Sequence, residues 1–328
     1  MRSARLSHAL STGALTLPEG PVAVFRPQAS DDLSALGRER VRVITGFKPD
    51  YDSFAVRGYA VAVAPEGSYA AALVCLPRAR AEARALIAAA AAHLPKGAPL
   101  IVDGQKTDGV DAMLRELRGR AEVGEAEAKA HGKLAVVAAP GPEAFSDWAA
   151  APLELPEGFR TLPGVFSADG VDPASAMLAA ALPAKLPRRV GDLGAGWGYL
   201  ARAVLAREGV ESLELIEAEA DALDCARANV TDPRARFTWA DATQGRPGPF
   251  DAVVMNPPFH NGRSADPALG LAFIRAAAHA LTPSGTLWMV ANRHLPYEAA
   301  LREAFREVEE VAGDTRFRVL RAARPQKR

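Results

Sequence analysis

The sequence predicts an α/β protein of two tandem domains, each with a mostly parallel sheet and helices on both faces. Three observations support this fold class. The chain has 328 residues, which suits two domains better than one. Its second half alternates short apolar strands with helical segments. Its first half repeats that order weakly, and a proline-rich stretch separates the two halves.

The composition is typical of a globular protein: 49% of the residues are hydrophobic, 24% are charged, and the formal net charge is zero. A strongly basic coat for nucleic acid is therefore absent, although a local patch can still bind RNA. Cys75 and Cys225 lie far apart and are expected to be free thiols in a reducing cytoplasm. No histidine has metal-ligand spacing, and no apolar run has membrane-spanning length. We expect a cytoplasmic monomer with no signal peptide, no metal and no membrane contact.

The domain boundary is predicted near residue 155. The surrounding region loses clear periodicity after Trp148 and is rich in proline. The prolines are Pro140, Pro142, Pro152, Pro156 and Pro163. We therefore divide the chain into residues 1–155 and 156–328.

Residues 156–328 predict seven strands with helices between them. The strands cover 189–193, 213–217, 236–239, 252–255 and 286–291, and two more flank Gly313. The helices cover 199–207, 220–229, 267–281 and 297–305. Residues 252–255 are all apolar, so this strand is predicted to lie at the centre of the sheet.

The first domain carries a weak repeat of the second. An alanine-rich helix ending in Pro-x-Gly precedes a strand in both, over 88–102 and again over 276–290. Upstream of the helix, Leu76 stands where the second domain has Asn256, and the first domain has no Gly-x-Gly-x-Gly turn. We infer a related copy that kept the scaffold and lost the chemistry of the second domain.

A glycine-rich turn follows the first strand of the second domain and opens a helix. It comprises Asp192, Leu193, Gly194, Ala195, Gly196, Trp197 and Gly198. Glycines let a backbone turn sharply and approach a ligand closely, and open α/β sheets bind ligands at the carboxyl ends of their strands. The dinucleotide fingerprint has two residues between its last two glycines, whereas these glycines alternate. A tight turn without a ligand is the alternative.

Acidic residues follow the next two strands. Glu217 ends the second strand, where a carboxylate can accept both hydroxyl groups of a ribose. Asp241 follows the third strand, and its side chain can accept the amino group of an adenine. The alternatives are that Glu217, Glu219 and Asp221 cap the following helix and that Asp241 forms a local turn.

The most specific motif is Asn256, Pro257, Pro258 and Phe259, after the fourth strand. An amino group conjugated to a ring or carbonyl is a poor nucleophile because its lone pair is delocalised. The Asn256 side-chain oxygen and the Pro257 carbonyl can each accept one N–H, which aims the lone pair at a methyl sulfonium. The prolines fix the backbone, and Phe259 can stack on a flat base or amide. A proline-rich loop is the alternative; the motif predicts N-methylation, with Asn256, Pro257 and Phe259 catalytic.

These motifs together resemble those of class I S-adenosylmethionine-dependent methyltransferases. Further segments resemble the bacterial ribosomal RNA guanine-N2 methyltransferases, most closely the small-subunit family lettered C, with the large-subunit family lettered G as a near relative. These segments are residues 162–170, 256–262 and 290–297. The resemblance covers most of 156–323 and, more weakly, 70–137. The sequence departs at Asn261, where an acid is expected, and at Glu217, where Asp is commoner.

The resemblance implies two Rossmann-like methyltransferase domains. The degenerate N-terminal one would serve as a scaffold or in substrate recognition, and the C-terminal one would bind S-adenosylmethionine. The implied substrate is N2 of a guanine in ribosomal RNA of the small subunit (16S), which Asn256 would hold while Phe259 stacks. The implied cofactor-binding residues are Asp192, Gly194, Ala195, Gly196, Gly198, Glu217, Asp241, Ala242 and Asn256.

Several cations are candidates for RNA contact. Arg263 and Arg293, with His260, lie just beyond the motif strands, where they can reach a flipped nucleotide. Either arginine can equally be a solvated loop residue. The tail from Arg316 is basic and can meet phosphates, or it can be an alternating final strand with a frayed end.

Two other functions stay open. The Asn-Pro-Pro-aromatic turn also serves methyltransferases of a protein glutamine or an adenine amino group, although Phe259 favours guanine. A non-catalytic RNA-binding or ribosome-assembly factor on a methyltransferase scaffold is the second alternative. The intact glycine turn and Asn256 argue against it.

Overall fold

Two sheets of the same topology form the frame of the protein. The computed structural model describes residues 2–245, 247–258, 260–261, 264–265 and 267–326, and for 260, 261, 264, 265 and 267 only the secondary structure. The chain divides into unit 1, Met1–Ala151, and unit 2, Pro152–Arg328.

Unit 1 consists of α1 (Arg2–Thr12), β1 (Val22–Phe25), β2 (Val41–Ile44), α2 (Lys48–Val56), β3 (Ala60–Ala62), β4 (Ala71–Cys75), α3 (Arg80–Ala92), β5 (Pro99–Gln105), α4 (Val110–Arg118), β6 (Glu127–Lys129) and β7 (Gly132–Ala138). Short 3-10 helices cover Ser34–Leu36, Arg38–Arg40, Lys106–Asp108 and Pro142–Trp148. The strand order is β3-β2-β1-β4-β5-β7-β6, with β7 antiparallel to its neighbours and the other paired strands parallel.

Unit 2 consists of β8 (Leu153–Glu154), β9 (Arg160–Thr161), α5 (Pro173–Ala181), β10 (Arg189–Leu193), α6 (Tyr199–Leu205), β11 (Ser212–Glu217), α7 (Ala220–Asn229), β12 (Ala235–Trp239), β13 (Phe250–Met255), β14 (His260–Asn261), β15 (Ser264–Ala265), α8 (Pro267–Ala280), β16 (Leu281–Asn292), α9 (Tyr297–Ala304), β17 (Phe305–Gly313) and β18 (Phe317–Pro325). The strand order β12-β11-β10-β13-β16-β18-β17 repeats that of unit 1. The predicted α/β fold with two mostly parallel sheets is confirmed.

The fifth strand of unit 2 is longer than the sequence predicted. Helix α8 ends at Ala280 rather than 281, and β16 begins at once with Leu281 instead of at 286. The pairing with β13 shifts between Phe250 and Ala252, so the Pro-x-Gly segment that was predicted as a turn is an irregularity inside the strand. The turn-forming residues do not end the strand here, because the pairing with β13 continues on either side of them.

Residues 252–255 of strand β13 are buried on both faces, as their unbroken apolar sequence predicts. Val253 and Met255 pack into the core on the side of α8 and α9. Ala252 and Val254 pack into the core on the side of α5 and α6. Helices therefore cover both faces of the sheet at β13. The chain leaves the core at the carboxyl end of this strand.

Strand register shows how unit 1 differs at the carboxyl ends. Phe25 pairs with Val74, two residues before Leu76, just as Asp192 pairs with Val254, two residues before Asn256. Phe25 thus occupies the place of Asp192, and Leu76 that of Asn256. By the same register, Gly46 occupies the place of Glu217.

Buried ion pairs lie at this end of the unit 1 sheet. Asp103 of β5 is fully buried, and its carboxylate accepts both Nε and Nη2 of Arg5 at 2.6 and 2.8 Å. Arg2 donates to the same carboxylate at 2.8 Å and also bonds Asp31, in the loop after β1. Unit 1 therefore carries two arginines of α1 and their carboxylate partners among the strand ends.

We expect Asp103→Ala to lower the free energy of unfolding of unit 1 by about 3 to 5 kcal/mol, because it leaves two buried guanidinium groups without their shared counter-ion. The control is Asp147→Ala, which breaks the exposed pair with Arg120 and should have a far smaller effect. Urea unfolding followed by circular dichroism measures both. Equal effects of the two substitutions would contradict the assignment of Asp103 as a buried anchor.

None of the helices in the described residues is long and apolar enough to cross a membrane. The described residues also contain no cluster of three or more His, Cys, Asp or Glu side chains suited to a metal ion. Cys75 and Cys225 are buried free thiols, as predicted, and burial raises their pKa values to about 12 and about 11.

Candidate active site

The candidate site lies at the carboxyl ends of β10, β11 and β13. A pocket there brings together four of the predicted site residues: Gly194, Ala195, Gly196 and Asn256. Its wall also contains residues for which the sequence had suggested no site role: Phe166, Ser167, Asp172, Ser175, Trp197, Tyr199 and Leu200. The sequence Asp172-Pro173-x-Ser175, a helix N-cap followed by proline, is the local signal that could have directed attention to two of them.

The glycine turn has a backbone that other residues would strain. Gly194, Gly196 and Gly198 have φ angles of +74°, +54° and +92°. A Cβ on Gly198 would lie 2.9 Å from Val230 Cγ2, so α7 and its following loop leave no room for a side chain. The Gly194 N–H donates to the Ile216 carbonyl at 2.9 Å, which joins the turn to the end of β11.

A ring of aromatic contacts fixes the outer side of the turn. Trp197 packs against Phe159 and Tyr199, with ring centroids 4.9 and 5.9 Å apart. The Trp197 indole N–H donates to the Phe166 carbonyl at 2.8 Å. The Phe166 ring is 62% exposed although it lines the pocket. The turn is therefore rigid, with an apolar ring at its mouth.

Glu217 ties the turn to the next strand. One carboxylate oxygen accepts the Gly196 N–H at 2.8 Å, and the other accepts the Glu219 N–H at 2.8 Å. The second bond is local and goes to the residue that precedes α7 as its N-cap, and the first links Glu217 to the glycine turn. Burial raises the pKa of Glu217, against these two N–H bonds, which lower it. Each oxygen keeps a lone pair for a further donor.

Asp192 is the most unusual group of the site. Its side chain is fully buried at the end of β10, and neither carboxylate oxygen has a hydrogen-bond partner among the described residues. Burial, with the charge of nearby Glu217, raises the pKa of Asp192 to about 8. A buried acid without a partner fits a site that receives a cationic ligand, such as the methionine part of S-adenosylmethionine.

Asn256 follows β13 and is held from one side. Its amide nitrogen donates to Asp172 Oδ2 and to Ser175 Oγ, both at 2.9 Å. Its carbonyl oxygen is buried and has no partner among the described residues. The next residue, Pro257, is also buried. The site thus presents an unused acceptor beside the glycine turn.

Other predicted site residues do not line this pocket or lie outside the described residues. Asp241 Oδ1 accepts the N–H and hydroxyl of Thr243 at 2.8 and 2.7 Å, the local turn that the sequence left open, and Ala242 beside it is buried. Phe259, Arg263 and the side chain of His260 lie outside the described residues.

The arginines proposed for RNA contact carry acidic partners. Arg293 donates to Glu310 at 2.7 Å and to the Asp314 carbonyl at 2.8 Å, so a phosphate would compete with both. In β18, the arginines at 318, 321 and 324 pair with Glu298, Glu309 and Glu307. This part of the tail is an alternating final strand, the second of the two possibilities; Lys327 and Arg328 lie outside the described residues.

The doubly wound sheet, the glycine turn and the acceptor after the fourth strand define a class I S-adenosylmethionine-dependent methyltransferase. Comparison with known proteins agrees: residues 157–321 match the methyltransferase small domain family. The chain belongs to this family and, within it, to the family of the bacterial ribosomal RNA small subunit methyltransferase C, as the following relatives show.

The chain is 33% identical over 239 residues to ribosomal RNA small subunit methyltransferase C of Klebsiella pneumoniae, covering 70% of this chain and 68% of the relative. The Pseudomonas aeruginosa enzyme of the same name is 31% identical, covering 80% and 81%. Ribosomal RNA large subunit methyltransferase G of Streptomyces coelicolor is 41% identical over 167 residues, covering 49% and 44%.

The structure resembles that of the T. thermophilus 16S rRNA N2 methyltransferase in complex with AdoMet and guanosine. The TM-score is 0.77 at 25% identity, covering 95% of this chain and 90% of the other. Both units of the chain therefore have counterparts in that protein, and S-adenosylmethionine is the cofactor.

We expect S-adenosylmethionine binding to weaken below about pH 8. Asp192 is protonated in the free protein below its raised pKa, and a cationic ligand favours the ionised carboxylate, so binding releases a proton. Each pH unit below the pKa should cost about tenfold in affinity. Calorimetry at pH 6, 7 and 8 in buffers of different ionisation enthalpy measures both effects, and Asp192→Asn should remove them. A pH-independent affinity with no proton release would contradict the role of Asp192.

Proposed function

We propose that the protein methylates N2 of a guanine in ribosomal RNA, with 16S RNA of the small subunit as the substrate. One observation carries the proposal: the buried Asn256 carbonyl oxygen, beside the glycine turn, lacks a partner among the residues that the structure describes. The names of the relatives, and the T. thermophilus 16S rRNA N2 methyltransferase with its guanosine, support guanine over adenine or glutamine.

The target amino group is activated by geometry. The Asn256 oxygen and the Pro257 carbonyl each accept one N–H of the amine. These two hydrogen bonds direct the nitrogen lone pair toward a methyl sulfonium. S-adenosylmethionine, when bound, would supply an electrophilic methyl group and would leave as a neutral thioether once its C–S bond has broken and the methyl group has passed to the amine. The acceptors are fixed before the substrate arrives, so no reorganisation is needed at the moment of attack. No general base has to act first, because the amine loses its proton after it has gained the methyl group.

The cofactor is held by the turn and the strand ends. In our proposal Asp192, Gly194, Ala195 and Gly196 face its methionine part, and Gly198 shapes the turn. Glu217 accepts the ribose hydroxyls with the lone pairs that Gly196 and Glu219 leave free. Asp241 and Ala242 face the adenine.

The substrate residues stay proposals. Phe259 stacks on the guanine, and His260, Arg263 and Arg293 contact the flipped nucleotide or its phosphates. Residues 1–155 serve as a scaffold or in RNA recognition. The loss of the cofactor groups in unit 1, where Phe25, Gly46 and Leu76 stand, supports this division of roles from the catalytic domain over 156–328.

We expect Asn256→Ala to reduce kcat for methyl transfer to rRNA by about 100-fold or more, because one of two preorganised acceptors is lost. The calorimetric Kd for S-adenosylmethionine should stay within about threefold, since Asn256 acts on the amine. Loss of cofactor binding together with activity would show that Asn256 has another role, and retained activity would overturn the mechanism.

Mapping of modified nucleotides tests the substrate. Ribosomal RNA from a strain lacking the gene should lack one N2-methylguanine in 16S RNA by mass spectrometry, and the wild-type gene, unlike Asn256→Ala, should restore it. A missing methyl group in 23S RNA would move the substrate to the large subunit. A missing methyladenine, or unchanged modification of the ribosomal RNA, would exclude the guanine proposal.

A further inference from the structure

The hydrogen bonds around Asn256 fix which way its amide points. Asp172 acts as an acceptor here, because its Oδ2 receives hydrogen bonds from the Ser175 N–H and from the Asn256 amide nitrogen. It therefore requires the NH2 end of the Asn256 amide on its side, and Ser175 Oγ accepts the second amide hydrogen at 2.9 Å. A flipped amide would set its oxygen against the carboxylate. These two hydrogen bonds thus fix the orientation in which the Asn256 oxygen is left without a partner among the described residues.

Asp172 is itself held rigidly. It is the N-cap of α5, and its Oδ2 accepts the Ser175 N–H at 2.8 Å as well as the Asn256 amide. Pro173 at the first helical position fixes the backbone of the turn, and Ala174 and Leu178 bury the helix in the core. The N–H groups at the start of the helix favour the negative charge of Asp172. The acceptor that orients Asn256 therefore belongs to a packed helix.

We propose that Asp172, assisted by Ser175, is a positioning residue that holds Asn256 in its acceptor orientation and strengthens that acceptor. Donation of the amide hydrogens to a carboxylate pushes electron density onto the amide oxygen, as in other hydrogen-bond chains. Asp172 takes no proton from the substrate and acts through Asn256 alone. This inference rests on the proposed function, in which the Asn256 oxygen accepts the target amine.

Asp172→Asn tests the proposal with little risk to folding, because Asn is as good an N-cap as Asp. It replaces a charged acceptor by a neutral amide that also tolerates the flipped Asn256. We expect kcat to fall about 10- to 100-fold, the usual effect of removing a group that orients a functional ligand. KM for RNA, the Kd for S-adenosylmethionine and the unfolding midpoint should stay at wild-type values. Ser175→Ala should give a smaller loss of kcat in the same direction.

The matched control is Asp232→Asn. Asp232 also accepts a backbone N–H, that of Arg234 at 2.9 Å, but in a loop between α7 and β12. It should retain wild-type kcat. Wild-type kcat in Asp172→Asn would overturn the positioning role alone, whereas wild-type kcat in Asn256→Ala would overturn the proposed function on which it rests.

A spectroscopic measurement separates positioning from direct catalysis. The chain has four asparagines, so asparagine-selective 15N labelling gives four side-chain amide signals: those of Asn229, Asn256, Asn261 and Asn292. Asn256→Ala identifies the signal of Asn256. Asp172→Asn adds a fifth signal from the introduced amide, and it should shift the Asn256 signal and speed the hydrogen exchange of the Asn256 amide, with the signals of Asn229, Asn261 and Asn292 unchanged. A loss of kcat with an unchanged Asn256 signal would show that Asp172 acts on the substrate itself and would overturn the proposal.

Discussion

The parallel pairing of β10 between β11 and β13 is the constraint on which the site depends. Parallel strands end at the same edge of a sheet, so this pairing brings Asp192, Glu217 and Asn256 together from three distant segments. Strand β13 is packed on both faces, and its last residue leaves the core directly into the Asn-Pro-Pro turn. The chemistry therefore sits on rigid backbone, where small displacements of an acceptor would be costly.

Two units of one topology show which residues this frame tolerates. Unit 1 keeps the strand order but has Phe25, Gly46 and Leu76 at the places of the three polar groups. A fold can thus lose its site without losing its sheet, because core packing and strand-end chemistry involve different residues. The buried pairing of Arg2 and Arg5 with Asp103 shows that unit 1 matches its own buried charges internally.

Among the described residues, buried polar groups at the strand ends lack partners in unit 2, whereas the buried charges of unit 1 form ion pairs. The Asp192 carboxyl and the Asn256 oxygen are both buried without partners among the described residues. Each such group costs free energy in the free protein, so the arrangement is stable only because the surrounding sheet is well packed. In the proposed function, a cationic cofactor and an amino group on the substrate supply what these two groups lack. The free energy that these groups lose when they are buried unpaired would then be recovered only on binding of those ligands, which would make the site selective for them.

The sequence by itself determined the strand and helix pattern, the repeat and the principal motifs. Hydrophobic periodicity, apolar runs and glycine spacing are properties of short segments, so they can be recognised in a sequence. In an α/β fold, the ends of the strands then indicate where the site lies. The extent of β16 was misjudged because pairing with β13 outweighed its turn residues. Only the tertiary structure decided which side of the Asn256 amide is free. That depends on the hydrogen bonds from the amide to Asp172, 84 residues away in the chain, and to Ser175, and contacts between distant segments leave no periodic signal in sequence.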